Sequence, residues 1–151
     1  EPTKPIRIPE SKIENIFDYI NGINYKLPLY SSSVQAGFPS PADDYLEEKL
    51  DLNKYLIKHP SATFFVKVTG DSMIKAGIHS GDILIVDRSI EPKNNKIVIA
   101  AIDGELTVKR LSYEPDGNYL QPENDNYSPI KIDEHNDLTI WGVVTNVLHS
   151  V

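Results

Sequence analysis

Two residues of this sequence have the types and the setting for nucleophilic chemistry: Ser72 in "TGDSM" and Lys109 in "ELTVKRL". A hydroxyl is a poor nucleophile at neutral pH unless a neighbouring base takes its proton. An amine can be that base only where its surroundings keep part of it neutral. Ser72 stands at the exit of a tight turn at Gly70, after a strand expected to end near Thr69, a place from which a serine can face a cleft. Gly-Asp-Ser is also ordinary turn chemistry, so the weight falls on Lys109. Asp103 and Gly104 form a favoured two-residue hairpin turn, because both central positions need positive φ. The hairpin register then pairs Ile102 with Glu105, Ala100 with Thr107 and Val98 with Lys109. Lys109 lies beside Val98 and Thr107 and diagonal to Ala100, and burial among such neighbours disfavours its charged form. The competing reading is an ammonium that snorkels to water from a strand end. Arg110, on the opposite face, reads as an ordinary solvent charge.

A substrate for such a pair stands in the same chain. In "SSSVQAGFPSPADDY" the small residues Ala36 and Gly37 sit between apolar Val34 and Phe38, with serines on one side and prolines on the other that keep the backbone extended and accessible. As a bare Ser/Pro cluster the segment is a linker. As a partner of a serine nucleophile it is a peptide bond that a strand-like approach can reach.

Elements that would position these residues follow from periodicity and breakers. "SKIENIFDYING" has Ser11 and Glu14 at capping-box spacing, Ile13, Ile16, Phe17 and Ile20 on one face, and Gly22 as a stop, which predicts a short amphipathic helix. Ser40 and Pro41 are placed to start a second short helix through "ADDYLEEKL", and "LNKYLIKH" to form a third. Beyond them "ATFFVKVTG", "DILIVDRS", "KIVIAAI", "ELTVKRL", "YLQPEN", "PIKI" and "LTIWGVVTNVL" read as short strands divided by Gly, Pro, Asn and Asp. The fold class is therefore mostly β, with short helices near its start and no internal repeat.

Composition narrows the functions. The 151 residues suit one domain with an appendage. There is no cysteine, so disulfides, thiolate metal sites and a cysteine nucleophile are excluded, and a reducing, cytoplasmic compartment is expected. The longest apolar run, Ile97 to Ile102, is too short to span a bilayer, so no membrane association is expected. Glu1 stands where an initiator Met would, and a longer parent product is expected. The net charge is −7. Residues 1–36 are balanced, with Lys4, Arg7, Lys12 and Lys26 against Glu1, Glu10, Glu14 and Asp18, so the body carries the acidic excess. Such a body repels phosphate backbones, and direct specific DNA binding is not expected. The four histidines, His59, His79, His135 and His149, show neither metal-ligand spacing nor carboxylate companions, so no metal, no cofactor and no Ser-His-Asp triad is expected. Trp141 reads as core or dimer packing.

The run from "QAGFPSPADDY" through "VKVTGDSMIKAGIHSGDILIVDRSI" to "IVIAAIDGELTVKRL" resembles the LexA/UmuD family of self-cleaving Ser-Lys autoproteases, from about Leu27 onward. The Ala–Gly bond is similar to that of LexA-type repressors, and "FPSPADDY" to UmuD, a subunit of error-prone DNA polymerase V. The resemblance implies a compact β-rich autoprotease domain, Ser72 as nucleophile, Lys109 as general base, and the Ala36–Gly37 bond as the site of self-cleavage. It implies backbone donors at Asp71 and Ser72 for the oxyanion, an arm of residues 1–36 that is removed, and a body of residues 37–151 that remains. It further implies a homodimer, stimulation by a RecA filament on single-stranded DNA, and partnership with an error-prone polymerase catalytic subunit of the UmuC type in the SOS response. The alternative within the family is the C-terminal regulatory and dimerisation domain of a LexA-type repressor. A signal peptidase would share the Ser-Lys pair but needs a membrane anchor, and a noncatalytic β domain would never cut itself.

Overall fold

"ILIVD" and "IVIAAI" are unbroken apolar runs because both faces of their strands are covered. A strand with one wet face would alternate instead. The computed structural model describes residues 7–22, 25–30, 46–135 and 137–151. In chain order its elements are helix α1 (Glu10–Ile20), strands β1 (Lys26–Tyr30) and β2 (Leu46–Asp51), helix α2 (Leu52–Leu56), and strands β3 (Thr63–Lys67), β4 (Ile83–Asp87), β5 (Ile97–Ile102), β6 (Glu105–Glu114), β7 (Gly117–Gln121), β8 (Ile130–Ile132) and β9 (Leu138–Leu148). The fold is mostly β, as the sequence predicts, and each of the seven strands expected after residue 60 is present. The chain divides into two compact units between Tyr55 and Leu56.

In the first unit, β1 and β2 form an antiparallel pair with a bulge between Leu29 and Tyr30. This corrects the expected helix through "ADDYLEEKL". Residues 46–51 are strand, since ladder bonds to β1 outweigh the local helix preference of Leu, Glu and Lys, while residues 42–45 lie outside the described residues. The Asp51 carboxylate then starts α2 by accepting from the backbone N–H of Asn53 at 3.0 Å. α1 is present, but its cap differs from the expected capping box. Pro9, locked at φ −58°, holds the N-cap position, and Ser11 lies one residue inside the helix.

The second unit is a seven-stranded antiparallel sheet in the order β3-β4-β9-β5-β6-β7-β8. Its two faces carry separate cores. Leu84, Val86 and Ile99 pack with Val68, Met73 and Ile78, while Val98, Ala100 and Val143 pack with Leu111 and Leu120. The hairpin register is the predicted one, with Val98 opposite Lys109 and Ala100 opposite Thr107. Asp103 at φ 49° and Gly104 at φ 85° supply the two positive values that the turn needs.

Two readings of single residues change. Trp141 is not core: it meets Phe64 edge-on at 6.4 Å and keeps 39% of its surface exposed, with the Arg88 guanidinium 4.6 Å above the Phe64 ring. His59 and His149 do have carboxylate companions. His59 Nδ1 lies 2.6 Å from Asp87 and His149 Nδ1 lies 2.7 Å from Asp82, pairings made over 28 and 67 residues of sequence and invisible in local spacing.

β9 runs between β4 and β5 and bulges against both. Gly142 is what lets it pass: a Cβ there would meet Val86 Cγ1 at 2.8 Å and the Asp87 carbonyl at 3.0 Å. Gly142→Ala is therefore expected to destabilise the protein by about 1–3 kcal/mol, read as a lower midpoint in urea unfolding with an unchanged slope.

Candidate active site

Ser72 is held by what flanks it. Gly70 turns the chain at φ 89°, and Met73, the next residue after the serine, is 1% exposed and packs in the Val68–Leu84 core. The Met73 carbonyl accepts from Ala76 at 3.0 Å, closing a short 3-10 turn over Ile74–Ala76. An apolar anchor one residue away thus fixes where the hydroxyl can point.

Lys109 approaches from β6. Its Nζ lies 3.0 Å from Ser72 Oγ, 2.8 Å from Thr107 Oγ1 and 3.1 Å from the Val108 carbonyl. The residue is only 7% exposed, and burial lowers the amine's pKa below its ordinary 10.5. Snorkelling to water is overturned, because the side chain is spent on reaching the serine across the sheet. All three oxygens can accept from the amine, and once the amine is neutral its lone pair can instead face the Ser72 O–H.

A cleft of about 280 Å³ opens beside Ser72, between residues 66–69 and 106–108, with Leu84 and Ile99 at its base. β7 pairs β6 only from Arg110 onward, so residues 105–109 of β6 present a ladder edge without a strand partner among the described residues. β3 is a terminal strand of the sheet. The cleft is thus apolar in its floor and bordered by backbone that can hydrogen-bond an extended peptide.

The support of the serine turn was not legible in the sequence. Glu123 donates its N–H to the Ser72 carbonyl at 2.8 Å and accepts from Lys75 N–H at 2.9 Å. Asn124 Nδ2 donates to the Asp71 carbonyl at 3.0 Å, and the Tyr127 hydroxyl donates to the Asp71 carboxylate at 2.6 Å. That bond to a carboxylate raises the Tyr127 pKa, so the phenol stays a donor. Arg110 is not the solvent charge expected of it: its Nε binds the Glu123 carboxylate, and its Nη1 donates to the Asn95 carbonyl at 2.8 Å. "QPENDNY" signals only a turn, and its contacts with the serine turn span more than fifty residues.

Of the residues expected at the site, Ser72 and Lys109 are brought together, and Asp71 lies in the serine turn. Ala36 and Gly37 lie outside the described residues. A family described as Peptidase S24-like matches residues 28–145. The chain belongs to the S24-like peptidases. Among curated relatives of this S24-like chain, Protein SamA of Salmonella typhimurium strain LT2 is 51% identical over 122 residues, covering 81% of this chain and 84% of the relative. Protein ImpA of Escherichia coli is 49% identical over 126 residues, covering 83% and 86%. The LexA repressor of Shewanella sp. strain W3-18-1 is 39% identical over 131 residues, covering 85% of this chain and 62% of the repressor. The resemblance to the LexA/UmuD family holds, and membership of the S24-like peptidases supports a self-cleaving protein of the DNA-damage response.

The hydrogen-bonded burial of Lys109 has a direct readout. Followed through its 13Cε resonance, Lys109 is expected to titrate below 10.5. Thr107→Val, which removes an acceptor that favours the ammonium, is expected to move that titration lower still, whereas an unchanged midpoint near the free-lysine value would contradict the site as described.

Proposed function

We propose that this chain is a serine endopeptidase that cuts its own Ala36–Gly37 bond with a Ser72–Lys109 dyad. The observation that carries the reading is the 3.0 Å approach of Lys109 Nζ to Ser72 Oγ, in surroundings that lower the amine's pKa. In the reaction Ser72 Oγ attacks the Ala36 carbonyl carbon as the neutral Lys109 amine takes the hydroxyl proton. The negative oxygen of the tetrahedral intermediate is stabilised by backbone N–H donors of Asp71 and Ser72. Lys109 then returns the proton to the Gly37 nitrogen, the Ala36–Gly37 bond breaks, and an ester joins Ala36 to Ser72. Water, deprotonated by the same amine, hydrolyses that ester, freeing residues 1–36 as a carboxylate and restoring Ser72. The cleft supports an extended substrate, with Ala36 and Gly37 small enough for close approach and Val34 and Phe38 offering apolar side chains. Tethering replaces an encounter between molecules by an intramolecular one, worth several kcal/mol of the barrier.

In this reading residues 1–36 are an arm that is discarded, and residues 37–151 are a cytoplasmic accessory subunit for an error-prone polymerase catalytic subunit of the UmuC type in translesion synthesis. The activator is a RecA filament on single-stranded DNA, which shifts the arm toward its docked state and supplies no catalytic group. Among the described residues no helix is long and apolar enough to cross a membrane, which fits this assignment. Similarity to a LexA repressor keeps a repressor fragment as the second reading.

Incubation at rising pH, followed by mass spectrometry, is expected to give fragments 1–36 and 37–151, and Ser72→Ala and Lys109→Ala are each expected to give none. The logarithm of the rate should climb with a slope of about one per pH unit and level off above the Lys109 pKa. A flat profile would remove the lysine from its role. The filament is expected to accelerate cutting at neutral pH, and operator-specific DNA binding by the native product would favour the repressor.

The product is also expected to be a homodimer, with the exposed strand face around Trp141 as its candidate surface. Sedimentation of residues 37–151 at micromolar concentration should give twice the monomer mass, and Trp141→Glu should shift it toward monomer.

A further inference from the structure

We propose that His79, Asp82 and His149 form a binding site for one divalent transition metal ion of the zinc class. The three residues come from places that the sheet makes adjacent. Asp82 immediately precedes β4, His149 immediately follows β9, and the last ladder pair of these strands is Ile83 with Leu148. His79 sits in the turn that leads to Asp82, whose own N–H bonds the His79 carbonyl at 3.1 Å. One donor atom from each residue lies within 4.8 Å of the others, and the two imidazole rings are 4.9 Å apart.

The carboxylate at the centre is set for a cation. Asp82 is 3% exposed. Its Oδ2 accepts the His79 backbone N–H at 2.8 Å and its Oδ1 lies 2.7 Å from His149 Nδ1. The backbone bond from His79, followed by the bond to His149, holds its pKa below the ordinary carboxylate value, so it is an anion across the neutral range. His79 Nδ1 is different. It is 3.7 Å from Asp82 Oδ2, beyond hydrogen-bond reach, sealed from solvent, and without a hydrogen-bond partner. A buried ring nitrogen in that condition has lost the partner that water would give it, and a metal ion bound by its lone pair would supply one.

Typical zinc bonds to imidazole and carboxylate are about 2.0–2.2 Å. Two donors of a tetrahedral ion then lie about 3.4 Å apart, so a separation of up to 4.8 Å must close by about 1 Å, which rotation of either half-exposed imidazole supplies. His149 Nδ1 would exchange its hydrogen bond to Asp82 for a bond to the ion, its proton leaving or moving to Nε2. Two imidazoles with one carboxylate select Zn2+, Co2+ or Ni2+ over Mg2+ and Ca2+, whose preferred donors are oxygens. Three protein donors leave the remaining coordination positions to water. The ion would clamp the residue after β9 to the turn whose Gly81 N–H and Asp82 carbonyl bond Val68 at 2.9 and 2.8 Å, four residues before Ser72. His79 and Asp82 stand three residues apart, but His149 joins them only over 67 residues of sequence, which is why the sequence predicts no metal here.

The test uses the full chain without an affinity tag and freed of metal. Titration with Co2+, read by visible absorption, and with Zn2+, read by calorimetry, is expected to show one saturable equivalent. Zn2+ should also raise the thermal midpoint by mass action. His79→Ala and His149→Ala should each weaken binding at least about tenfold and abolish the thermal shift. Their unfolding midpoints without metal establish that both are folded. The double variant His59→Ala, His135→Ala should bind as the wild type does. Absence of one-site binding up to millimolar metal, retention of binding when His79 and His149 are both replaced, or loss of binding in the His59, His135 variant would each overturn the site.

Discussion

The amine of Lys109 is kept from water, and the rest of the candidate site follows from that. An exposed lysine at neutral pH is almost wholly an ammonium and cannot take a proton from serine. Here the side chain runs from a strand opposite Val98 and ends among hydroxyl and carbonyl oxygens that can accept its protons. Desolvation, with no neighbouring cation needed, pushes the equilibrium toward the neutral amine. The same burial requires hydrogen-bond partners for the amine, and the Ser72 hydroxyl is one of them.

Holding that contact takes two rigid supports that meet at the hydroxyl. From one side the hairpin of β5 and β6 sets Lys109, since β5 lies between β9 and β6 and the register of the hairpin is pinned by the Asp103–Gly104 turn. From the other side the serine turn is short and would be mobile alone. It is anchored inward by Met73 and outward by Glu123, Asn124 and Tyr127. Arg110 joins the two supports: it follows Lys109 in β6 and binds the carboxylate of Glu123, whose backbone holds the Ser72 carbonyl. Nucleophile and base therefore share a frame, and displacement of one is resisted through the other.

Among the described residues the sheet leaves ladder edges open beside this frame. An unpaired edge is a hazard for aggregation, and it is also what an extended peptide needs for recognition by backbone hydrogen bonds. A protease that acts on a segment of its own chain gains specificity from attachment, so its cleft can be small and largely apolar. The cleft beside Ser72 has that character.

The sequence by itself determined the seven strands after residue 60 and the hairpin register, while the pairing of Ser72 with Lys109 came only from the family resemblance. The strands and the register rest on local rules: β-branched runs between breakers, two positive-φ positions at Asp103 and Gly104, and a side-chain period of two that fixes Lys109 opposite Val98. It misjudged residues whose partners are distant. "LEEKL" has a helical composition and becomes strand β2 because β1 is there to pair with it. Arg110 reads as a solvent charge and instead, with Tyr127, braces the serine turn, and His149 reads as unaccompanied because Asp82 meets it only where β4 and β9 lie side by side. Local propensity acts over a few residues, whereas ion pairs, buried hydrogen bonds and metal donors depend on distances in space. Those distances exist only once the sheet has brought separate segments together, so the tertiary structure alone decided them.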